Sequence, residues 1–319
     1  MRKIALPAIV SISLFASLSV PAHALNSRTW ISGAGVDQAG CGPIANPCRS
    51  LQYAHDQTSA GGEIDVKDSA GYGSLVIAKA ITVVGDGSIA GVVAAPGADA
   101  ITINAPSDAK VTLRGLTVDG LGGGRNGIVF NTGGALTIDK CNIMNFTADG
   151  DLAAFGIFLF PPQNSTPKIA ILDTTVTNNR RTGIILTGPD GSFNKAATAT
   201  VDINRVISTN NSTGIYLLAA TGSKFSVSQS VTSQNTSGGI VVMGASVSSL
   251  DSNVVTNNAG NGIYVHGTTM LLGRSVITGN GTGVLVFSGT SLTYKNNQIN
   301  GNTSDICPCG GVLNAVVSQ

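Results

Sequence analysis

Glutamate is almost missing from this 319-residue chain: Glu63 stands alone. Good helix formers are scarce in general, and charged residues make up only 11% of the sequence, which argues against a helical architecture. No basic block is present, so neither nucleic acid nor an anionic lipid surface is expected as the main partner. Beyond the first residues, no apolar run is long enough to span a bilayer. What is abundant is glycine, at 41 residues, with Val, Ile, Thr, Ser and Asn filling much of the rest. That is the composition of short strands joined by many turns.

Residues 1–24 have the pattern of a secretory signal peptide. Arg2 and Lys3 give a positive start, an apolar run follows, and Ala22-His23-Ala24 offers a small-residue cleavage site. The run is broken by Pro7 and several serines, which disfavours a membrane anchor. Without Arg2 and Lys3, the 18 basic residues fall to 16 against 17 acidic ones, a nearly neutral mature chain. The expected location is outside the cytoplasm, extracellular or periplasmic, with no membrane insertion after signal cleavage.

The five cysteines fit an oxidising compartment. Cys41 and Cys48 bracket the tight loop CGPIANPC and are predicted to pair. On the chain-entropy model such a bridge contributes about 2.5 kcal/mol. Cys307 and Cys309 flank Pro308 and could join only as a small strained ring, or pair elsewhere. Cys141 falls in a strand-like stretch and reads as a buried free thiol. The spacing is a poor match to zinc, and no metal is assigned.

The main signal is an internal repeat. TVTNNRRTGIILTG, VISTNNSTGIYLLA, VTSQNTSGGIVVMG and VVTNNAGNGIYVHG share one template: apolar β residues, an Asn, a short loop, then Gly-Ile and alternating apolar residues. Asn179, Asn210, Asn235, Asn258, Asn280 and Asn302 mark the column, with steps of 31, 25, 23, 22 and 22 residues. Each copy holds three β segments, and none can bury a face alone. Stacking solves this: each strand pairs in parallel with its counterpart one coil away, at about 4.8 Å. The prediction is an all-β, right-handed parallel β-helix with three-strand coils of about 22 residues. The Asn column would sit at a tight corner needing positive φ and would form an amide ladder. The glycine after it would let the backbone bend into the next strand.

Insertions at 160–168 and 187–198 interrupt the series, and such insertions gather on one face. The segment 25–62 is expected to carry a short capping helix. Asn46 is its predicted N-cap and Pro47 its first residue. Leu51 and Ala54 face inward, and Gly61-Gly62 stop it. His55 on that helix reads as a polar surface group. The solenoid is then 63–305, and 306–319 forms an apolar tail that closes the last coil.

RTWISGAGVDQAGCGPIANPCRSL, GGEIDV, RGLTVDGLGGGRNGIVFNTGG and the Gly-Ile coils resemble secreted bacterial right-handed parallel β-helix proteins of the pectate-lyase-like superfamily. The resemblance covers nearly all of the mature chain. Within the superfamily the chain is similar to a subgroup described by fold, without an assigned activity. The resemblance implies that any polysaccharide chemistry would lie on an outer strand surface between flanking loops.

That surface can be read from the alternation, because the second and fourth residues after each Gly point outward. They form a stripe that includes Phe158, Phe160, Tyr216, Tyr264, His266 and Phe287, largely apolar and without carboxylate or arginine. Glycoside hydrolysis generally needs two carboxyl groups at the bond. The resemblance implies calcium-holding carboxylates and a base for a lyase, or paired aspartates with Gly-His-Gly for a polygalacturonase; the stripe has neither set. His266 without an acid partner is a weak general base. Bordering loops supply Asp149, Asp151, Arg180, Arg181 and Asp190, a candidate rim for calcium or an acidic sugar. Asp139, Asp173 and Asp251 recur on another corner and read as turn residues. The favoured expectation is non-catalytic binding of a surface glycan or protein through the stripe, with no cofactor. The alternative is a polysaccharide lyase or glycoside hydrolase working at the rim, with calcium as its cofactor.

Overall fold

The computed structural model describes residues 25–188, 196–245, 247–307 and 309–316. The expected signal peptide, and Asp190 and Lys195 of the second insertion, lie outside them. The chain coils through three parallel sheets, and after the first pair, Asn26–Ile31 with Thr58–Val66, each strand pairs with the strand three further on. The longest sheet has twelve strands, from Asn26–Ile31 to Val312–Val316. The Gly-Ile sheet has ten, from Leu75–Ile77 to Ser304–Cys307, and the third sheet has ten, from Ala70–Gly71 to Gln298–Ile299. One full coil is Asn261–His266, then Thr269–Gly273, then Val276–Thr278.

The register carries the alternation from coil to coil. Ile240 pairs with Ile263, Val241 with Tyr264, and Val242 with Val265. Ile263, Val265, Met270, Leu272 and Ile277 are all fully buried, so each coil feeds the core from three directions. Full burial of one such aliphatic side chain contributes roughly 1.5–3 kcal/mol, available only once neighbouring coils stack.

The asparagine ladder exists, with one position corrected. Its members are Asn179, Asn211, Asn235, Asn258, Asn280 and Asn302. Each backbone N–H from Asn179 to Asn280 donates to the next Asn Oδ1, at 2.9–3.2 Å. Asn258 Nδ2 also donates to Asn280 Oδ1 at 2.9 Å, and Asn280 Nδ2 to Asn302 Oδ1 at 2.9 Å. Asn210, expected in this column, is instead the exposed residue before it, at φ 55°. The same left-handed place is held by Asn178, Gln234, Asn257, Gly279 and Gly301 in the other coils. The corner therefore needs two residues where one was expected. The first takes the positive φ; the second turns its amide inward to the ladder.

The repeated glycine also has a different cause from the bend expected. Gly262 is not in the left-handed region. A Cβ there would lie 2.7 Å from Gly283 O and 2.9 Å from Asn280 Nδ2. The glycine leaves room for the ladder amide and the next strand's carbonyl.

The capping helix runs Leu51–Gln57, and its N-cap is Ser50 rather than Asn46. Ser50 Oγ accepts from Tyr53 N–H, while Asp37 accepts from the amides of Arg49 and Ser50. The cap thus depends on a carboxylate thirteen residues back, not on the Asn-Pro pair. Leu51 and Ala54 are buried as expected. His55 is buried too, at 4% exposure, which corrects its surface assignment. Its Nε2 accepts from Ala78 N–H at 3.2 Å, which fixes the other proton on Nδ1 beside Asp56. Gly61 and Gly62 do not end the helix; they lie inside the strand Thr58–Val66. Cys41 pairs with Cys48, Cys307 pairs with Cys309, and Cys141 is a buried free thiol.

Candidate functional site

The outward face of the Gly-Ile sheet divides into a covered half and an open half. In the covered half, Phe158 is only 3% exposed and packs with Val129 and Phe155, flanked by Phe160 and Ile185. The Phe155–Phe158 ring centroids are 5.0 Å apart and the Phe158–Phe160 centroids 5.3 Å. Phe158 points out of the coil as the alternation requires, yet it lies in a second small core. Ala153 and Ala154, in the loop leading into this strand, are buried as well. Small side chains there let the loop backbone lie close against the sheet.

The open half lies toward the C-terminal coils. Tyr264 and Phe287 come from adjacent Gly-Ile rungs, with centroids 6.3 Å apart and planes within 28°. His266 meets Phe287 edge-on at 4.9 Å. Phe287 is 49% exposed, while Tyr264 and His266 are half-buried. The next Gly-Ile rungs back carry Tyr216 and Met243. Tyr216 Oη donates to Met243 Sδ at 3.2 Å, and burial pushes the phenol pKa up. Tyr216 is thus fastened to its neighbour, whereas Phe287 presents free ring surface.

The expected charged rim comes together differently. Arg180 pairs with the Asp149 carboxylate and also donates to Ala148 O. Arg181 donates to the backbone oxygen of Asp151 at 2.9 Å, not to its carboxylate. Its guanidinium carbon lies 6.0 Å from the centre of the Phe155 ring. The two arginines therefore hold the 148–151 loop over the covered half. Among the described residues, no three His, Cys, Asp or Glu ligand atoms converge at this rim. The one such group is Asp37 with Cys41 and Cys48, whose sulfurs are joined in the disulfide.

The aspartates of the other corner acquire partners that sequence reading missed. Arg114 lies between Asp86, at 2.6 Å, and Asp139, at 3.3 Å. Arg205 reaches both Asp173 oxygens, and Arg274 pairs with Asp251. Arg205 and Arg274 themselves occupy left-handed turn positions, at φ 54° and 47°. For Asp86, Asp173 and Asp251 the signal was present as an Arg about one coil further on, whereas Asp139 is reached by Arg114 from the coil before it.

Residues 155–315 match the family model described as the right-handed beta helix region. The chain belongs to that family. Among solved structures, this β-helix protein is similar to the GH136 lacto-N-biosidase from Eubacterium ramulus. The TM-score is 0.59 and the identity 11%, covering 90% of this chain and 68% of that one. It is also similar to pectate lyase Pel9A, with a TM-score of 0.48 and 16% identity over 92% of this chain and 78% of that one. At these identities the likeness concerns the fold. No curated protein sequence matches the chain.

Proposed function

We propose that this β-helix protein is a secreted, non-catalytic binding module that takes a surface glycan on the open half of its Gly-Ile face. One observation carries the reading: Tyr264, His266 and Phe287 gather on adjacent rungs with half of Phe287 in solvent. Burying an exposed ring against a partner is favourable because it removes apolar area from water, and the apolar face of a pyranose suits that role. Parallel strands fix the spacing of the rings, so little freedom is lost when a ligand binds. The rim adds support: Arg180 and Arg181 are engaged with their own loop, and among the described residues no three His, Cys, Asp or Glu ligand atoms gather there to hold calcium. For secretion, the support is the Cys41–Cys48 disulfide, together with the N-terminal sequence pattern. Among the described residues, no helix is long and apolar enough to cross a membrane.

The test is a glycan array on the mature protein, compared with a Tyr264→Ala/Phe287→Ala double variant. Loss of two aromatic contacts should weaken capture by about ten- to a hundredfold. The strands should remain intact, because both side chains point away from the core. Retained capture by the folded variant would remove the face from consideration. Turnover of an arrayed glycan would replace binding with catalysis.

A further inference from the structure

The outward face of the long sheet carries a second feature, independent of the Gly-Ile face. Along its edge, one side-chain column runs Asp139, Leu172, Asn204, Ser228, Asp251 and Gly273 in strict register. Tyr294 follows on the next rung, one residue beyond the Leu272–Thr293 pair. Every member has a side chain except Gly273. The missing side chain leaves a notch of about 320 Å³ between the Asp251 carboxylate and the Tyr294 ring. A Cβ on Gly273 would stand 3.0 Å from Asp251 Oδ1 and 3.4 Å from the Tyr294 ring. Gly273 is not in the left-handed region, so its backbone does not require glycine; the gap is the feature that a larger residue would abolish.

The lining is chemically mixed. Asp251 accepts, Arg274 donates, Asn296 can do both, and Tyr294 supplies a ring beside Leu271. Arg274 pairs with Asp251 and also donates to Ser252 Oγ, so the polar groups are oriented in advance. Asn296 Oδ1 accepts from Arg274 N–H at 3.0 Å, which ties the next coil's loop to the same wall. Because the two charges offset one another, the notch favours a neutral ligand over an anion. Its volume is at the small end for ligand sites, suited to one ring rather than a long chain.

We propose that this notch is a binding site for a single neutral polyhydroxylated ring, a terminal monosaccharide unit. Asp251 and Arg274 would share adjacent hydroxyls, and Tyr294 would cover the ring's apolar face. The test is ligand-observed NMR titration with methyl β-D-glucopyranoside, methyl β-D-galactopyranoside and sodium glucuronate. The wild type should bind at least one neutral glycoside and prefer it to glucuronate. Gly273→Leu places in the column the residue that Leu172 already carries there, so the fold should accept it. That variant, and separately Asp251→Asn, should each weaken binding about tenfold or more, through steric filling and loss of a charged acceptor respectively. Gly273→Leu and Asp251→Asn, made in a Tyr264→Ala/Phe287→Ala background, should weaken the binding that remains there by the same factor, which separates the notch from the Gly-Ile face. Any of three results overturns the proposal: no neutral glycoside binds, glucuronate is preferred, or both folded notch variants bind as the wild type does.

Discussion

Replacing Asn211 with alanine should destabilise the solenoid far more than replacing its neighbour Asn210. Asn211 Oδ1 accepts two donors from the preceding coil, Asn179 N–H and Asn179 Nδ2, each at 3.0 Å. Its own Nδ2 donates to Val176 O at 3.1 Å and to Ser208 Oγ at 3.2 Å. Asn179 and Asn211 are each 2% exposed, so water cannot readily replace these bonds. Asn211→Ala leaves two buried donors of Asn179 without their acceptor. At about 1–3 kcal/mol for each of the two stranded groups, the loss is roughly 2–6 kcal/mol. Asn210 is exposed and contributes mainly its tolerance of φ 55°. Asn210→Ala should therefore cost only about 1–2 kcal/mol. In thermal unfolding, the Asn211 variant should melt on the order of 10 °C below wild type, and the Asn210 variant a few degrees below. Equal losses, or a larger loss at Asn210, would refute the division of the corner into a left-handed residue and a ladder residue.

Other outcomes follow from the same geometry. Burial lowers the His55 pKa below its ordinary 6.5, and its Nε2 must stay unprotonated to accept from Ala78 N–H. Its contribution is complete above pH 6.5 and declines as the pH falls from there toward the depressed folded value. His55→Gln should flatten that part of a stability–pH curve; an unchanged slope would contradict the buried neutral imidazole. Burial pushes the Cys141 thiol up to about 12, so a maleimide should label it only after unfolding. Rapid native labelling would place it at the surface. Cys41→Ser/Cys48→Ser should lower stability by about 2.5 kcal/mol in denaturant titration, and no loss would mean that the loop is held by other contacts.

The coil period, the inward aliphatic positions and the Gly-Ile alternation were legible in the sequence because each coil repeats them at nearly fixed spacing. The Asn210/Asn211 ambiguity was not, because two adjacent asparagines fit one pattern and only the amide's direction separates them. The N-cap was missed because Ser50 gains its strength from Asp37, a contact made by the loop's closure. Outward direction was predictable for Phe158, but exposure was not: whether an outward ring meets water depends on loops of irregular sequence. The Asp–Arg pairs lay hidden for a related reason, since their partners are 23 to 32 residues apart. The notch at Gly273 becomes visible only when the register aligns a glycine with side-chain-bearing neighbours.

Glycan capture is assigned to the rings at the C-terminal end of the Gly-Ile face. The most direct measurement is binding of wild type and Tyr264→Ala/Phe287→Ala to a broad glycan array, with circular dichroism showing both to be folded. Wild-type capture should fall by about ten- to a hundredfold in the double variant. Capture that survives the loss of both rings, or a wild type that binds no arrayed glycan, would contradict that assignment.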